Sequence, residues 1–219
     1  MFRDRVEAGR RLGAALSRFQ ALEPIVVALP RGGVPVAAEV AKALGATLDV
    51  VCVRKVGAPM QPELAIGAIA DGSSPTVYLD QEIIRTLGLD RSEVDGQLAK
   101  AQSELRRREA LYGSLRSRAE IPGKTVIVVD DGIATGSTIR AAALRIRALN
   151  PLRLVIAVPV APPHSLVALR PFADLIVCLE EPLRFRAVGE FYQRFDQVSD
   201  AEVIECLAQA RRKATLSDS

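Results

Sequence analysis

Two adjacent carboxylates and a loop of small, hydroxyl-bearing residues follow one short apolar run of the sequence. Asp130 and Asp131 come directly after the run 126–129. Small residues in such a loop let backbone N–H groups approach an anion closely, and a helix that begins there adds unpaired N–H donors. Carboxylates beside the loop would accept hydrogen bonds from sugar hydroxyls or from metal-bound water. We therefore predict a sugar-phosphate site, whose phosphate would lie on Ala134, Thr135, Gly136, Ser137 and Thr138.

Two other apolar runs also end in residues that could bind an anion. Glycines after the run 25–29 would leave backbone N–H donors open, and the arginine before them would supply a planar cation. A basic pair closes the run 48–53, where the carboxyl end of a buried strand favours a binding role over solvated surface. These candidates are Arg31, Gly32 and Gly33 after the first run, and Arg54 and Lys55 at the end of the second.

The order of apolar runs and helical patterns indicates the sheet that would position these residues. Five runs rich in Val, Ile and Leu lack polar/apolar alternation, as expected for parallel strands buried on both faces. Apolar residues at helical spacing over 34–44 and 137–149 separate pairs of these runs, which predicts two βαβ units. We predict an α/β fold with a central, mostly parallel sheet and helices on both faces, as a single domain over 1–219. The predicted strands are 25–29, 48–53, 126–129, 152–158 and 175–179.

An inserted helical arm is predicted between two of these strands, over about 79–121. Its apolar residues recur at alternating spacings of four and three, which is typical of a long amphipathic helix. Arg108 breaks the apolar stripe once, and it directly follows Arg106 and Arg107. These arginines could lie on a lid over the site or on a solvated helix face.

The stretch 180–199 is rich in turn residues and follows the last predicted strand. It contains several of the chain's aromatic residues, of which Phe191 and Tyr192 could stack on a planar ligand. Ser199 begins a capping-box pattern that predicts a last helix. We expect the tail to be disordered after Arg211.

Composition and charge exclude several classes of protein. The chain has 219 residues, 49% of them hydrophobic, a formal net charge of +3 and three cysteines. That charge is too small for a nucleic-acid footprint spread over the surface, so nucleic acid is an unexpected partner. No long apolar segment or signal peptide is visible, and an odd number of widely spaced cysteines favours reduced thiols. We expect a cytoplasmic protein with no membrane contact, acting as a homodimer.

The segment 130–138 resembles the binding motif for 5-phosphoribosyl 1-pyrophosphate (PRPP) of the type I phosphoribosyltransferases. The resemblance implies that Asp130 and Asp131 hold the ribose hydroxyls and that residues 134–138 cradle the 5′-phosphate. It also implies a fold in which the central sheet carries the site and a C-terminal hood, formed by about 180–199, covers the base. The chain as a whole is most similar to the uncharacterised group of predicted phosphoribosyltransferases, from which no acceptor base follows.

The other two anion-binding candidates resemble the pyrophosphate-binding stretches of the same family. The loop 31–33 looks like the family's pyrophosphate loop, which often carries a strained non-proline peptide, expected here between Arg31 and Gly32. The pair Arg54 and Lys55 is similar to the Arg-Lys-x-Gly stretch of adenine-type members. By this resemblance the pyrophosphate would be held by Arg31, Gly32, Gly33, Arg54, Lys55 and Arg108.

The implied activity is transfer of the phosphoribosyl group from PRPP to a small, planar nitrogenous base, with release of pyrophosphate. Mg²⁺ would arrive through the substrate phosphates and water rather than through a protein cage. The catalytic residues would be Arg31, Lys55, Asp130 and Asp131. Ala134 stands where 6-oxopurine enzymes carry an acid, which counts against a hypoxanthine- or guanine-type activity.

The sequence leaves a second class of function open. A regulator or sensor could bind PRPP with the same fold without turning it over. A P-loop enzyme is excluded by spacing, because Gly123-Lys124-Thr125 precedes a strand and the residue five positions before Gly123 is Arg118 rather than glycine.

Overall fold

A computed structural model describes residues 1–72, 75–115 and 119–217 of the chain. The first half runs α1 (Arg5–Ala15), β1 (Ile25–Ala28), α2 (Gly33–Leu44), β2 (Thr47–Val50), β3 (Val53–Ala58), β4 (Gln61–Ala70), β5 (Thr76–Leu79), α3 (Gln81–Thr86) and α4 (Arg91–Tyr112). The second half runs β6 (Thr125–Val129), α5 (Ser137–Arg147), β7 (Arg153–Val160), α6 (Pro163–Leu169), β8 (Leu175–Glu180) and α7 (Asp200–Ser217). Short 3-10 helices lie between several of these elements.

Five parallel strands form the central sheet in the order β2-β1-β6-β7-β8. The chain leaves β1 toward one edge of the sheet and leaves β6 toward the other. β1 and β6 are therefore neighbours whose following loops diverge, which is the switch point where open α/β sheets bind ligands. The predicted α/β fold with a central parallel sheet is confirmed.

Side chains of the central strands alternate between two hydrophobic layers. In β1, Val26 and Ala28 pack with α1, α2 and α7, whereas Ile25 and Val27 pack with α5 and α6. All four residues are at most 5% exposed. Burial on both faces explains why the strand sequence shows no polar alternation.

A second, antiparallel sheet was not foreseen from the sequence. The predicted strand 48–53 is two strands, because β2 ends at Val50 and β3 begins at Val53. β3 pairs with β4, and β4 pairs with β5, with register shifts near Gly57. Proline and glycine within this stretch masked the strand pattern, since both residues normally mark turns.

The predicted arm is present as α3 and α4, and it packs against the small sheet. A capping box between Asp90 and Glu93 begins α4. The helix buries Leu105 and Tyr112 against β3, β4 and the last helix. The movement of this arm as a lid over the site stays a prediction.

The C-terminal stretch pairs with the N-terminus of the chain. Phe2 and Tyr192 form a parallel bridge, with backbone hydrogen bonds on both sides of it. The predicted capping box at Ser199 is present, because Ser199 and Glu202 exchange hydrogen bonds. The helix that follows continues to Ser217, past Arg211, where the sequence predicts a disordered tail.

Within the part of the chain that the structure describes, no helix is long and apolar enough to cross a membrane. The three cysteines, Cys52, Cys178 and Cys206, form no disulfide bond.

α1 lies unusually close to α2 because glycine occupies two contact positions. A Cβ on Gly9 would lie 2.6 Å from the carbonyl oxygen of Val36. A Cβ on Gly13 would lie 2.7 Å from the Cβ of Ala43. This close crossing fixes the start of α1, and therefore Arg5, relative to the central sheet.

We predict that Gly9→Ala lowers the free energy of unfolding by about 1–3 kcal/mol, because the new methyl group overpacks the helix crossing. Gly96→Ala in α4 is the matched control, since a Cβ at Gly96 meets nothing within 4 Å. The control should raise the free energy of unfolding by about 0.5–1 kcal/mol through helix propensity alone. Urea denaturation measures both variants, and equal effects would refute the close crossing.

Candidate functional site

A cavity of about 590 Å³ opens at the switch point between β1 and β6. That volume is within the usual range of small-molecule sites. The walls come from the loops after β1 and β6, from β3, from α4 and from the C-terminal stretch. Its predicted lining residues are Arg31, Gly32, Arg54, Lys55, Arg108, Asp130, Asp131, Ala134, Thr135, Gly136 and Thr138.

The paired acids lie at the carboxyl end of β6, deep in this cavity. The backbone N–H of Asp131 donates to the carboxylate of Asp130 over 2.9 Å. Burial raises the pKa of Asp130 well above its ordinary value, and the neighbouring charge of Asp131 raises it further. Burial also raises the pKa of Asp131, while the guanidinium of Arg5 opposes that increase. Two ionised carboxylates at this position therefore disfavour each other in the ligand-free protein.

Glycine in the loop after β1 allows the acids to lie against that loop. A Cβ on Gly32 would lie 2.0 Å from Oδ2 of Asp131, and a Cβ on Gly33 would lie 2.8 Å from the carbonyl oxygen of Val129. Gly33 does not line the cavity, although the sequence predicts it as a pyrophosphate contact. Its role in the structure is the close approach of α2 to β6.

The loop after β6 has the form expected of an anion site. Gly136 adopts a φ of +80° and caps the N-terminus of α5. Thr135 and Ser137 have their hydroxyl oxygens 3.4 Å apart. The hydroxyl of Ser165, at the start of α6, donates to the carbonyl of Ala134 and so fixes the loop from behind. Ser137 is buried and does not itself line the cavity.

Four predicted basic residues line the same cavity. Arg31 lies 3.9 Å from Asp200 at the start of α7, and Asp200 also accepts a hydrogen bond from Tyr112. Arg108 lies 3.8 Å from Glu104 on its own helix. Arg54 and Lys55, on β3, complete the set. The structure thus brings the predicted pyrophosphate cations to one cavity, two of them beside carboxylates.

The two rings predicted to stack on a base do not line the cavity. Tyr192 is buried, and its hydroxyl donates to the carbonyl of Asp131 over 2.6 Å. Phe191 stacks on Phe185 with ring centroids 5.5 Å apart. Both rings pack within a small apolar cluster, which is the physical reason that they are unavailable for stacking. Phe195 lines the cavity instead, along with Val188, Gln197 and Val198.

The loop after β1 contains a cis peptide bond that does not precede a proline. The cis bond joins Pro30 to Arg31 and not Arg31 to Gly32. The loop after β1 therefore has the predicted type of peptide one residue earlier.

Sequence reasoning missed Arg5 altogether. Its Nε atom donates to Oδ2 of Asp131 over 2.8 Å, and its guanidinium carbon lies 3.9 Å from the ring centre of Phe195. Arg5 is one of several arginines near the start of the chain, and no local pattern separates it from the others. The pairing of the first residues with segment 191–194 is long-range and has no signal in either segment.

The chain is similar to known proteins over most of its length. The phosphoribosyl transferase domain family matches residues 6–180. Two proteins from strains of Mycobacterium tuberculosis, provisionally named as phosphoribosyl transferases, are 43% identical over 212 residues, which is 97% of this chain and 47% of each relative. This chain therefore spans about half the length of those relatives.

A solved structure covers nearly the whole fold. The crystal structure of TT1426 from Thermus thermophilus has a TM-score of 0.80 and 42% sequence identity, and the match covers 95% of this chain and 98% of that one. The extra sheet, the arm and the C-terminal stretch thus recur with the central sheet in another protein. The family match and this overlap lead to one conclusion: the chain belongs to the phosphoribosyl transferase domain family.

Proposed function

We propose that the protein binds PRPP together with Mg²⁺ and transfers its phosphoribosyl group to a nitrogenous base, releasing pyrophosphate. The observation that carries this proposal is the acid pair at the switch point, which shares one cavity with a phosphate-type loop and four cationic side chains. A ligand with a phosphate, a diol and a diphosphate offers a group to each of these three sets of residues. PRPP has this arrangement of groups.

Each part of the ligand has a chemically suitable partner in the cavity. The loop 134–138 and the N-terminus of α5 would hold the 5′-phosphate through backbone N–H groups and hydroxyls. Asp130 and Asp131 would accept hydrogen bonds from the ribose hydroxyls. Arg31, Lys55 and Arg108 would bind the diphosphate, since cations and multiple donors recognise phosphate oxygens.

In the reaction, the bond between C1′ and the diphosphate oxygen breaks and the oxygen keeps the electron pair. The lone pair of the acceptor nitrogen forms the new bond to C1′, and the acceptor loses a proton if it carries one. Negative charge grows on the leaving diphosphate, so preorganised cations such as Arg31 and Lys55 stabilise the transition state more than the ground state. Arg54 and Arg108 add positive charge to the same cavity.

The donor set fits a Mg²⁺ ion that is held mainly by the substrate. Among the described residues, no cluster of three or more metal-ligating side chains exists. Mg²⁺ commonly keeps several waters and binds substrate phosphates, which needs only outer acceptors from the protein. Asp130 and Asp131 would accept hydrogen bonds from water on the ion. When bound, the ion would neutralise charge on the leaving diphosphate.

The acceptor would lie between the acids and the C-terminal stretch. Val188, Phe195 and Val198 give this part of the cavity an apolar wall, and Gln197 can both donate and accept hydrogen bonds. These side chains suit a small, planar, neutral base. Ala134 offers no acid to a 6-oxopurine, in keeping with a different acceptor.

One feature of the cavity favours the second function, that of a sensor that binds PRPP without turning it over. Asp130 and Asp131 are the only carboxylates among its described lining residues, and no histidine joins them. If both acids are engaged by ribose, no further side chain is available as a proton acceptor. A protein that binds PRPP as a signal would need none.

We predict that the protein binds PRPP in the micromolar to millimolar range and that affinity falls when Mg²⁺ is chelated. Titration calorimetry measures the affinity, and ribose 5-phosphate should compete because it shares the sugar and the 5′-phosphate. No heat and no competition at millimolar ligand would refute the proposal. Incubation with PRPP, Mg²⁺ and a panel of nucleobases, followed by a pyrophosphate assay, then separates an enzyme from a sensor.

We predict that Asp130→Asn weakens PRPP binding by about tenfold or more, because hydrogen bonds to charged groups contribute roughly 1.5–3 kcal/mol each. The same variant should be more stable than the wild type at pH 7 without ligand. The pKa of Asp130 is raised by folding above its ordinary value of 3.8, so its ionisation opposes folding at neutral pH. The stability advantage of the variant should shrink as the pH is lowered toward that value.

Thermal melts of both proteins at pH 7 and near pH 4 measure this change. A variant that binds normally would contradict the ribose assignment. A variant that is less stable at pH 7 would indicate that Asp130 serves the fold rather than a ligand.

We predict that Gly32→Ala weakens PRPP binding while the protein stays folded. The added Cβ would overlap the carboxylate of Asp131, so the side chain must turn away from its present position. The backbone at Gly32 has an ordinary helical conformation, with φ of −59°, so alanine itself is not strained there. Calorimetry and a thermal melt test the two halves of this prediction, and normal binding would show that the position of Asp131 is unimportant.

A further inference from the structure

We infer that Arg5 is a positioning residue of this site, which holds the carboxylate of Asp131 where a ribose hydroxyl can reach it. The inference rests on the proposed function, because it assumes that Asp131 contacts ribose. It assigns a role at the site to the first residues of the chain, which lie outside the matched family range of 6–180.

The guanidinium of Arg5 is fixed from three sides. Nε donates to Asp131 over 2.8 Å, Nη1 donates to the carbonyl of Asp196 over 2.7 Å, and the plane lies over the ring of Phe195. The side chain is 11% exposed and that of Asp131 is 14% exposed. An arginine held in this way cannot swing freely, so it also restricts the carboxylate that it binds.

The backbone around both partners is fixed as well. Phe2 donates from its backbone N–H to Phe191 over 2.7 Å, and Gln193 donates to Phe2 over 2.8 Å. The hydroxyl of Tyr192 holds the carbonyl of Asp131. The N-terminal segment, the C-terminal stretch and the acid pair therefore form one connected unit, in which Arg5 supplies the charged link.

The pairing also answers an electrostatic need. Burial raises the pKa of Asp131, and Arg5 lowers it again. A buried carboxylate without a partner is costly, so removal of Arg5 would leave Asp131 either protonated or displaced. In both cases Asp131 would be a poorer acceptor for a hydroxyl. One hydrogen bond from Nε leaves further lone pairs of the carboxylate for a ligand.

Two other roles for Arg5 predict different results. If Arg5 only added positive charge to the cavity, its loss would weaken the binding of inorganic pyrophosphate at least as much as the binding of ribose 5-phosphate. The reason is that pyrophosphate carries more negative charge. If Arg5 occluded the acids, its loss would strengthen the binding of ribose 5-phosphate. A positioning role predicts a loss that is confined to the ligand with a ribose.

The test measures ribose 5-phosphate and inorganic pyrophosphate separately, by calorimetry on the full chain. The variants are Arg5→Gln, which removes the charge, and Arg5→Lys, which keeps the charge without the planar fork. Arg11→Gln is the matched control. Arg11 also lies on α1, over an aromatic ring and near a carboxylate, with Cζ 4.5 Å from the ring centre of Phe2 and Nη2 3.6 Å from Glu180, and it does not line the cavity.

We expect Arg5→Gln to weaken ribose 5-phosphate by roughly tenfold, the size of one charge-assisted hydrogen bond, and to change pyrophosphate affinity by less than about twofold. Arg5→Lys should bind ribose 5-phosphate about threefold more weakly than the wild type does. Arg11→Gln should bind both ligands with wild-type affinity. Equal losses for both ligands, unchanged binding or tighter ribose 5-phosphate binding would overturn the inference. If Arg5→Gln does not fold, wild-type affinity of Arg5→Lys for ribose 5-phosphate overturns it.

The proposed function fails in a distinguishable way. A wild-type protein that binds neither ligand would refute the function and the role of Arg5 together. If the wild type and the Arg5→Gln variant bind ribose 5-phosphate equally well, only the role of Arg5 is refuted.

Discussion

Two adjacent carboxylates buried at the end of one strand are the constraint around which this molecule is arranged. Burial raises the pKa of both Asp130 and Asp131, and the neighbouring charge of Asp131 raises the pKa of Asp130 further. Such a pair weakens the ligand-free fold unless neighbouring groups compensate. Arg5 supplies a direct ion pair, and Lys55 contributes a favourable charge from β3. Part of the unfavourable free energy of ionising the two carboxylates is left uncompensated. A ligand that brings hydroxyl donors and a cation would offset it.

The sheet topology makes that concentration of charge possible. β1 and β6 are adjacent parallel strands, so the glycine loop and the acid pair emerge side by side. Gly32 gives the carboxylate of Asp131 its space, and the N-terminus of α5 faces the same cavity. The small antiparallel sheet then carries Lys55 to the cavity, and α4 packs on that sheet with Arg108 also lining the cavity. Stable packing in these outer layers is therefore a condition for the geometry of the site.

The central sheet and most site residues could be predicted from the sequence because their signals are local. Asp130, Asp131 and the loop after them follow an uninterrupted apolar strand, and helix Ser137–Arg147 has an unbroken apolar period. The strand boundary at Val51 could not be predicted, because the apolar run continues across it. The antiparallel sheet could not be predicted, because proline and glycine interrupt its pattern. Arg5 was missed for a different reason: it reaches the cavity through pairing between the two ends of the chain. Phe191 and Tyr192 were misplaced because an aromatic residue near a site has the same sequence signal whether it packs or binds.

The central claim is that the acid pair recognises a ribose diol, and the most direct measurement compares ribose 5-phosphate with 2-deoxyribose 5-phosphate. The two ligands share the phosphate and differ by one hydroxyl, so phosphate and cation contacts cancel in the ratio of their affinities. The account predicts that the ribose ligand binds at least about fivefold more tightly, since a hydrogen bond to a charged acceptor is lost with the hydroxyl. Equal affinities would mean that the carboxylates do not contact the diol, and would contradict the account.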